Sequence, residues 1–341
     1  MRAAIFNPYL DTLGGGERYT VSVALAFAKA GYKVDIAWPD GSLKEKLEKR
    51  FGLDLTEINF VNDVKRGDGY DLCFWVSDGS VPNLKARKNL IHFQVPFQNV
   101  GGRTLINKMK FFRIDKVICN SQFTKNLIDK EYGVESVVIY PPVDVAKIKS
   151  RKKENLILYV GRFSELGQLK RQDLLISAFK KFFDSGFGEW RLVIAGGVEV
   201  GAGNLLEKLK RSKEGYPIEI IEGPDFKVLK ELYGKARIFW STVGYGVKEE
   251  KSPEKVEHFG ISLVEAMAGG AVPIVYRAGG YKEIVKDEES GFFFNTTSKL
   301  LSITEKLIKD RKKERLVANQ AKLMAQNFSN EKFEDEILKI I

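Results

Sequence analysis

An alternation that runs through this chain twice constrains its fold more than any other feature. Short apolar runs rich in β-branched and aromatic residues, at Ala3 to Asn7, Lys33 to Trp38, Tyr70 to Val76, Leu90 to Val95, Val117 to Asn120 and Val137 to Tyr140, are separated by amphipathic stretches such as Glu17 to Ala30 and Ser121 to Tyr132. Strand-length apolar runs alternating with helical patterns specify a mostly parallel sheet covered by helices on both faces. The pattern breaks at Pro141-Pro142-Val143-Asp144 and at the polar stretch Arg151 to Asn155, then restarts. The second series has strands near Leu156 to Gly161, Arg191 to Gly196, Ile218 to Glu222, Arg237 to Ser241, Val272 to Tyr276 and Gly291 to Phe294. Its helices lie near Arg171 to Phe183, Phe226 to Ala236, Ile261 to Ala268 and Leu300 to Lys309. The predicted class is α/β, with a Rossmann-like domain over residues 1–150, a second over 151–328, and a helix-like end, 329–341, that packs on one lobe or across both. Ligands of open α/β sheets bind outside the carboxyl ends of the strands, so two such lobes facing each other would form a cleft.

The length, 341 residues, fits two domains. Cys73 and Cys119 lie in apolar strand-like runs and read as buried thiols of a reducing compartment. His92 and His258 are the only histidines and no cysteine pair has ligand spacing, which argues against a zinc site. No apolar run reaches the roughly 18 to 20 residues that span a bilayer. The start, Arg2 and a short strand before Asn7-Pro8, lacks the pattern of a signal peptide, and the expectation is a cytoplasmic protein. The charge of +10 is spread evenly, with 22 basic and 17 acidic residues in 1–150 against 33 and 28 in 151–341. That balance suits an anionic small substrate or an anionic membrane surface, and no nucleic-acid partner is expected.

Three segments carry chemistry. Gly14-Gly15-Gly16, before Glu17-Arg18, opens a helix after the first strand, where backbone amides and the helix N-terminus can meet a phosphate; three glycines also suit a plain turn. Gly161-Arg162 ends a strand and Lys170-Arg171 precede a helix, cations that suit a diphosphate or simply a solvated surface. In Glu257-His258-Phe259-Gly260-Ile261-Ser262-Leu263-Val264-Glu265, two carboxylates stand eight positions apart with Gly260 starting a helix between them. Amides around Gly260, Ile261 and Ser262 can meet phosphate oxygens, and Glu265 can accept from vicinal hydroxyls or be an ordinary helix acid.

Over nearly its entire length the chain resembles the retaining, nucleotide-sugar-dependent glycosyltransferases of family 4, which have the GT-B fold. The resemblance rests on the glycine loop with Glu17-Arg18, the stretch Asp115 to Ser121, Pro141-Pro142-Val143-Asp144, Gly161-Arg162 with Lys170, the glutamate pair with its seven-residue gap, Gly279-Gly280 and Glu283-Ile284-Val285. It implies that Arg162 and Lys170 hold the donor diphosphate, that Glu265 binds the ribose hydroxyls, that Glu257 contacts the transferred sugar, and that Gly15, with Gly14 and Gly16, sets amides against the phosphate. Arg171 stands where many members have glycine and is a third contact or a bystander. Members often carry a histidine two residues before a proline at the end of the strand here running Leu90 to Val95. This chain has Gln94 before Pro96, with His92 two residues earlier on the same side of the strand. Gln94 is favoured for the contact and His92 is the second choice.

The resemblance further implies hexose transfer from a nucleotide-diphosphate sugar, GDP-mannose ahead of UDP-glucose, to a glycan or lipid-linked acceptor, with no cofactor and no metal required. The lack of an Asp-x-Asp triplet agrees with the latter. Alternatives are another GT-B enzyme such as a nucleotide-sugar epimerase, or a non-catalytic protein of the membrane surface. Arg103 to Arg113 mixes cations with apolar residues and is either an ordinary amphipathic helix against the sheet or a patch for an anionic membrane, which would put the protein peripherally on the inner face. Gly244 to Lys255 reads as a loop over the cleft that orders when donor binds.

Overall fold

The fold was analysed in a computed structural model, which describes residues 1–165 and 167–341. The chain forms two compact units, Met1–Pro142 with Asn330–Ile341, and Val143–Ser329. In the first, β1 (Arg2–Phe6), α1 (Gly15–Lys29), β2 (Lys33–Ala37), α2 (Leu43–Phe51), β3 (Ile58–Val61), β4 (Leu72–Val76), β5 (Lys88–Phe93), α3 (Leu105–Phe111), β6 (Lys116–Cys119), α4 (Gln122–Tyr132) and β7 (Val137–Val138) follow in order. The sheet runs β3-β2-β1-β4-β5-β6-β7 and every pairing is parallel.

The second unit contains β8 (Glu154–Val160), α5 (Gln172–Asp184), β9 (Arg191–Gly196), α6 (Gly203–Ser212), β10 (Ile218–Glu222), α7 (Phe226–Lys235), β11 (Ala236–Ser241), α8 (Ile261–Ala268), β12 (Val272–Tyr276), α9 (Tyr281–Ile284), β13 (Phe292–Phe294), α10 (Thr297–Lys309) and α11 (Arg311–Ala325). Its sheet runs β10-β9-β8-β11-β12-β13, again all parallel. In both units the strand order reverses beside the first strand, between β1 and β4 and between β8 and β11. Diverging connections leave a crevice at such a point, outside the carboxyl ends of the strands.

Parallel strands covered on both faces must be apolar throughout, and Ala3, Ala4 and Ile5 in β1 and Leu156, Ile157, Leu158 and Tyr159 in β8 are all buried. The units part after Pro142, earlier than the boundary expected after residue 150. Val143 bridges to Ser329 and donates its N–H to Phe328, and Arg151 donates its N–H to Gly234, so this stretch hydrogen-bonds within the second unit rather than forming a free linker. The terminal helix α12 (Asn330–Leu338) belongs to the first unit. Phe333 and Ile337 enter the core under α1, Phe333 meets the Tyr19 ring edge-on at 5.0 Å, and Lys29 pairs with Glu334 at 2.5 Å.

One buried ion pair ties α11 to β11. Arg237 lies over the Trp190 ring at 4.4 Å, and its Nε and Nη2 reach the two Glu314 carboxylate oxygens at 3.0 and 2.6 Å. Both side chains are under one-tenth exposed. Removing one partner from such a pair leaves the other charge without compensation in a medium that solvates it poorly. Glu314→Ala is expected to destabilise the second unit by about 3 kcal/mol, read as a lowered denaturant midpoint; an unchanged midpoint would show that Arg237 finds water or another acceptor.

Candidate active site

In the first unit the glycine cluster opens α1 at the exit of β1. Gly14 caps the helix, and its N–H donates to Glu17 Oε2 at 2.6 Å, so the Glu17 carboxylate already serves one of the amides at this end. Gly15 and Gly16 follow in the first turn, whose N–H groups have no intrahelical acceptor. Gln94 lies directly against them: its Nε2 donates to the Gly16 carbonyl at 3.2 Å, and its own carbonyl accepts from Asn120 Nδ2 at 3.0 Å. A Cβ on Gly16 would come within 1.8 Å of Gln94 Oε1, so a side chain there would push the Gln94 amide out of this position.

His92 is placed differently from its expected role. Period two does put it on the α1 side of β5 with Gln94, but two residues further down the strand it enters the core. Its ring stacks on Tyr19 at 4.1 Å, with Phe74 at 5.5 Å, and neither ring nitrogen makes a well-formed hydrogen bond. Burial pushes the imidazole down to about 3, so it stays neutral and out of reach of a sugar.

In the second unit β8 ends at Gly161-Arg162, where the crevice opens. Arg162 is exposed, and its carbonyl accepts from Gln172 Nε2 at 2.9 Å at the start of α5. Gly196, at the end of β9, has no room for a Cβ, which would fall 2.0 Å from the Gly161 carbonyl oxygen. Thr242, just after β11, donates Oγ1 toward the Lys170 and Arg171 carbonyls at 3.1 and 2.9 Å, fixing the chain that carries Lys170 to the neighbouring strand exit.

Lys170 Nζ lies 3.2 Å from Glu257 Oε2, and the two side chains are only 11% and 15% exposed. Gln168 joins them: its Oε1 accepts from Lys170 and its Nε2 donates to Glu257 Oε1 at 3.2 Å. Burial works to raise the Glu257 carboxyl, but the charges of Lys170 and His258 and the Lys170 and Gln168 hydrogen bonds outweigh it and hold the group below the usual carboxylate range.

The backbone of Glu257 is clamped from behind. Gly280 donates to the Glu257 carbonyl at 2.8 Å, and a Cβ on Gly279 would fall 2.1 Å from that same oxygen, so two glycines are needed where the two chain segments touch. Gly260 caps α8 at φ 118°, over the Tyr281 ring. Tyr281 Oη lies 2.8 Å from Ser241 Oγ, and Tyr159 Oη is buried without a hydrogen-bond partner. Burial and the nearby Glu257 charge keep both phenols un-ionised.

Two expected donor contacts are engaged elsewhere. Glu265 is buried on α8 and accepts from Tyr233 Oη at 2.7 Å. Arg171 pairs with Asp173 at 3.1 and 3.2 Å and reaches the Tyr245 carbonyl at 3.4 Å. Its φ of 54° is the left-handed conformation that favours glycine. Ile261 and Ser262, half-buried, form the first turn of α8.

The segment Gly244 to Lys255, expected to order only with donor, is already tied at both ends. Leu169 N–H donates to Lys255 at 3.0 Å, Gly244 N–H to Leu169 at 2.8 Å, and Glu249 accepts from Gly279 N–H at 2.9 Å and from Lys282 at 2.5 Å. Sequence reasoning missed Gln168, Thr242, Tyr281 and Asn120. Gln168 alone had a readable signal, a polar residue two positions before Lys170.

Because Glu257 ionises at lower pH folded than unfolded, the stability this adds is complete above its ordinary value of 4.5 and is lost as pH falls through the lower folded value. Lys170→Met is expected to move the Glu257 titration up, above 4.5, in a carbon-detected NMR titration of the glutamate carboxyls. A carboxyl that titrates as low without the ammonium would locate the cause elsewhere. For His92, whose value falls from 6.5 to about 3, stability is likewise complete above pH 6.5 and declines below it as the unfolded chain takes up a proton. His92→Phe should flatten the acid-side loss of stability by up to about 1.4 kcal/mol per pH unit. Parallel pH profiles of the two proteins would refute this.

Residues 13–147 match the family described as Glycosyltransferase Family 4, and residues 142–324 match Glycosyl transferases group 1. The chain is 28% identical over 249 residues to a GDP-Man:Man(3)GlcNAc(2)-PP-Dol alpha-1,2-mannosyltransferase of Dictyostelium discoideum, a match covering 66% of this chain and 46% of that one. It is 24% identical over 368 residues to the Alpha-1,3/1,6-mannosyltransferase ALG2 of Yarrowia lipolytica, covering 84% and 79%. The chain thus spans about half the length of the alpha-1,2-mannosyltransferase relatives it matches. Among solved structures, Anabaena Alr3699/HepE in complex with UDP superposes with a TM-score of 0.78 over 99% of both chains at 19% identity, a likeness of fold. With more than half of its residues matching one family, the chain belongs to the group 1 glycosyltransferases and has their α/β GT-B fold.

Proposed function

We propose that the protein is a retaining hexosyltransferase that moves mannose from GDP-mannose to a lipid-linked or other glycan acceptor without a metal ion. The observation that carries this reading is the Lys170–Gln168–Glu257 cluster, held almost out of water beside the exit of the first strand of its sheet. Names that pair GDP-Man with Man(3)GlcNAc(2)-PP-Dol among the relatives support the choice of sugar and acceptor.

In this reading the donor diphosphate lies across Arg162, Lys170 and the first amides of α8 around Gly260, Ile261 and Ser262. Breaking the bond between the anomeric carbon and the phosphate oxygen sends the electron pair to the phosphate. Fixed cations and amides in a poorly solvated site stabilise that charge as it develops, which is where they accelerate the step. Glu257, kept ionised by Lys170, accepts from a sugar hydroxyl and favours positive character at the ring. The acceptor hydroxyl attacks from the face the phosphate leaves, and its proton passes to the departing phosphate oxygen, so the anomeric configuration is kept. Glu265 accepts from the ribose hydroxyls with Tyr233 bracing its other side. In the first unit, Gln94 packs on Gly16 beside amides that suit a phosphate.

A thermal-shift panel of GDP-, UDP- and ADP-sugars tests the donor. GDP-mannose at about one hundred times its dissociation constant should add about 2.7 kcal/mol, and Glu265→Ala should abolish the gain. Lys170→Met should lower kcat about a hundredfold or more. A stronger shift with a UDP-sugar, an inverted product seen by proton NMR, or loss of turnover in a chelator would each overturn the matching part.

A further inference from the structure

We infer that α3 is a docking surface for an anionic lipid membrane. An ordinary surface helix buries its apolar stripe. Instead, α3 packs only Phe111 inward, against Tyr132, and turns its other large apolar side chains outward. None of its residues is buried, and Leu105, Ile106, Met109 and Phe112, at helical spacing along one face and just past its end, are between 62% and 89% exposed.

The polar residues hold the helix in place. Lys110 Nζ donates to the Val81 carbonyl at 2.7 Å, Arg113 Nε to Leu84 at 3.1 Å, and Asn107 Nδ2 to Gly101 at 3.3 Å. The loop before the helix is fixed as firmly: the Glu131 carboxylate accepts from the N–H groups of Asn99, Val100 and Gly102, and Arg103 Nε donates to the Lys130 carbonyl at 3.0 Å. Four large apolar side chains are thereby presented to water on a braced element, an arrangement that marks an interaction site.

Charge identifies the partner. From Gly79 to Ile114 the chain carries seven Lys and Arg and no Asp or Glu. Three of those cations lie at the N-terminal end of β5 and just before it, Lys85, Arg87 and Lys88, and the Arg113 bond to Leu84 brings the end of α3 to that same segment. Lys85 and Arg87 pair with Asp68 and Asp71, and Glu131 is engaged by backbone N–H groups, which leaves Arg103, Lys108, Lys110 and Arg113 as a net positive charge around the apolar side chains. Apolar side chains flanked by cations match a bilayer surface whose headgroups are negative and whose acyl chains begin just beneath. Among the described residues no helix is long and apolar enough to cross a membrane, so the contact is with its surface. This inference does not rest on the proposed sugar, acceptor or stereochemistry.

Sedimentation of the full chain with vesicles tests it, using phosphatidylcholine alone and phosphatidylcholine mixed with phosphatidylglycerol. Binding should be at least about tenfold stronger to the mixed vesicles and should weaken as salt is added. Met109→Glu with Phe112→Glu should reduce it about tenfold or more at an unchanged thermal midpoint, while Phe112→Trp, apolar and interfacial, should retain it. Equal sedimentation of the double variant, or no binding to the mixed vesicles at low salt, would overturn the proposal. So would a dimer in solution that the double variant dissolves, which would make a second copy the occupant.

Discussion

An ammonium and a carboxylate held 3.2 Å apart and largely out of water, Lys170 and Glu257, form the contact that ties together the strand-exit side of the second unit. Neither charge is stable in such surroundings without the other. The fold assembles the pair from two segments distant in sequence, each anchored through its backbone. Thr242 holds the carbonyls of Lys170 and Arg171 from the neighbouring strand exit, and Gly279-Gly280 presses on the carbonyls of Glu257 and His258. Gln168 closes the arrangement by giving each partner one more hydrogen bond.

The two units repeat one topology and use it differently. Both place their first strand at the reversal of strand order, and both begin a helix from glycine near a strand exit. In the first unit the exit is lined by amides and by Gln94, with Arg18 buried in the first turns of α1. In the second it is lined by Arg162, Lys170 and the paired acid.

Much of this was legible in the sequence, in specific places. The apolar runs at Ala3 to Phe6 and Leu156 to Val160 announce buried parallel strands because both faces of each strand are covered. Short elements were harder to see: β3 at Ile58–Val61 and α6 at Gly203–Ser212 lie at the sheet edge or surface, where half-exposed residues interrupt the apolar pattern. The glutamates of the 257–265 segment and Lys170 are readable as separate charged residues, whereas Gln168 shows only as a polar residue two positions before Lys170, with nothing in the sequence to place it between Lys170 and Glu257 in space. Arg171 had the right charge and spacing for a phosphate contact, but its left-handed backbone and Asp173, two residues along, commit it to its own helix start. His92 shares a strand face with Gln94 and still faces the other way in function, since one strand step separates the sheet's carboxyl edge from its core.

What the sequence alone determined is the pattern of local preference: where the chain is extended, where it is helical, which stretches must be covered on both sides, and which residue types can bind phosphate. Those follow from periodicity and side-chain chemistry over a few neighbouring residues. Tertiary structure decided which of those side chains share a dielectric and a hydrogen bond. It paired Lys170 with Glu257 across a large gap in sequence, sealed His92 under Tyr19, drew α12 back beneath α1, and left the apolar face of α3 in water. The physical reason is that burial and Coulomb interactions depend on distances through space, and these are set only when the sheets close and their helices pack.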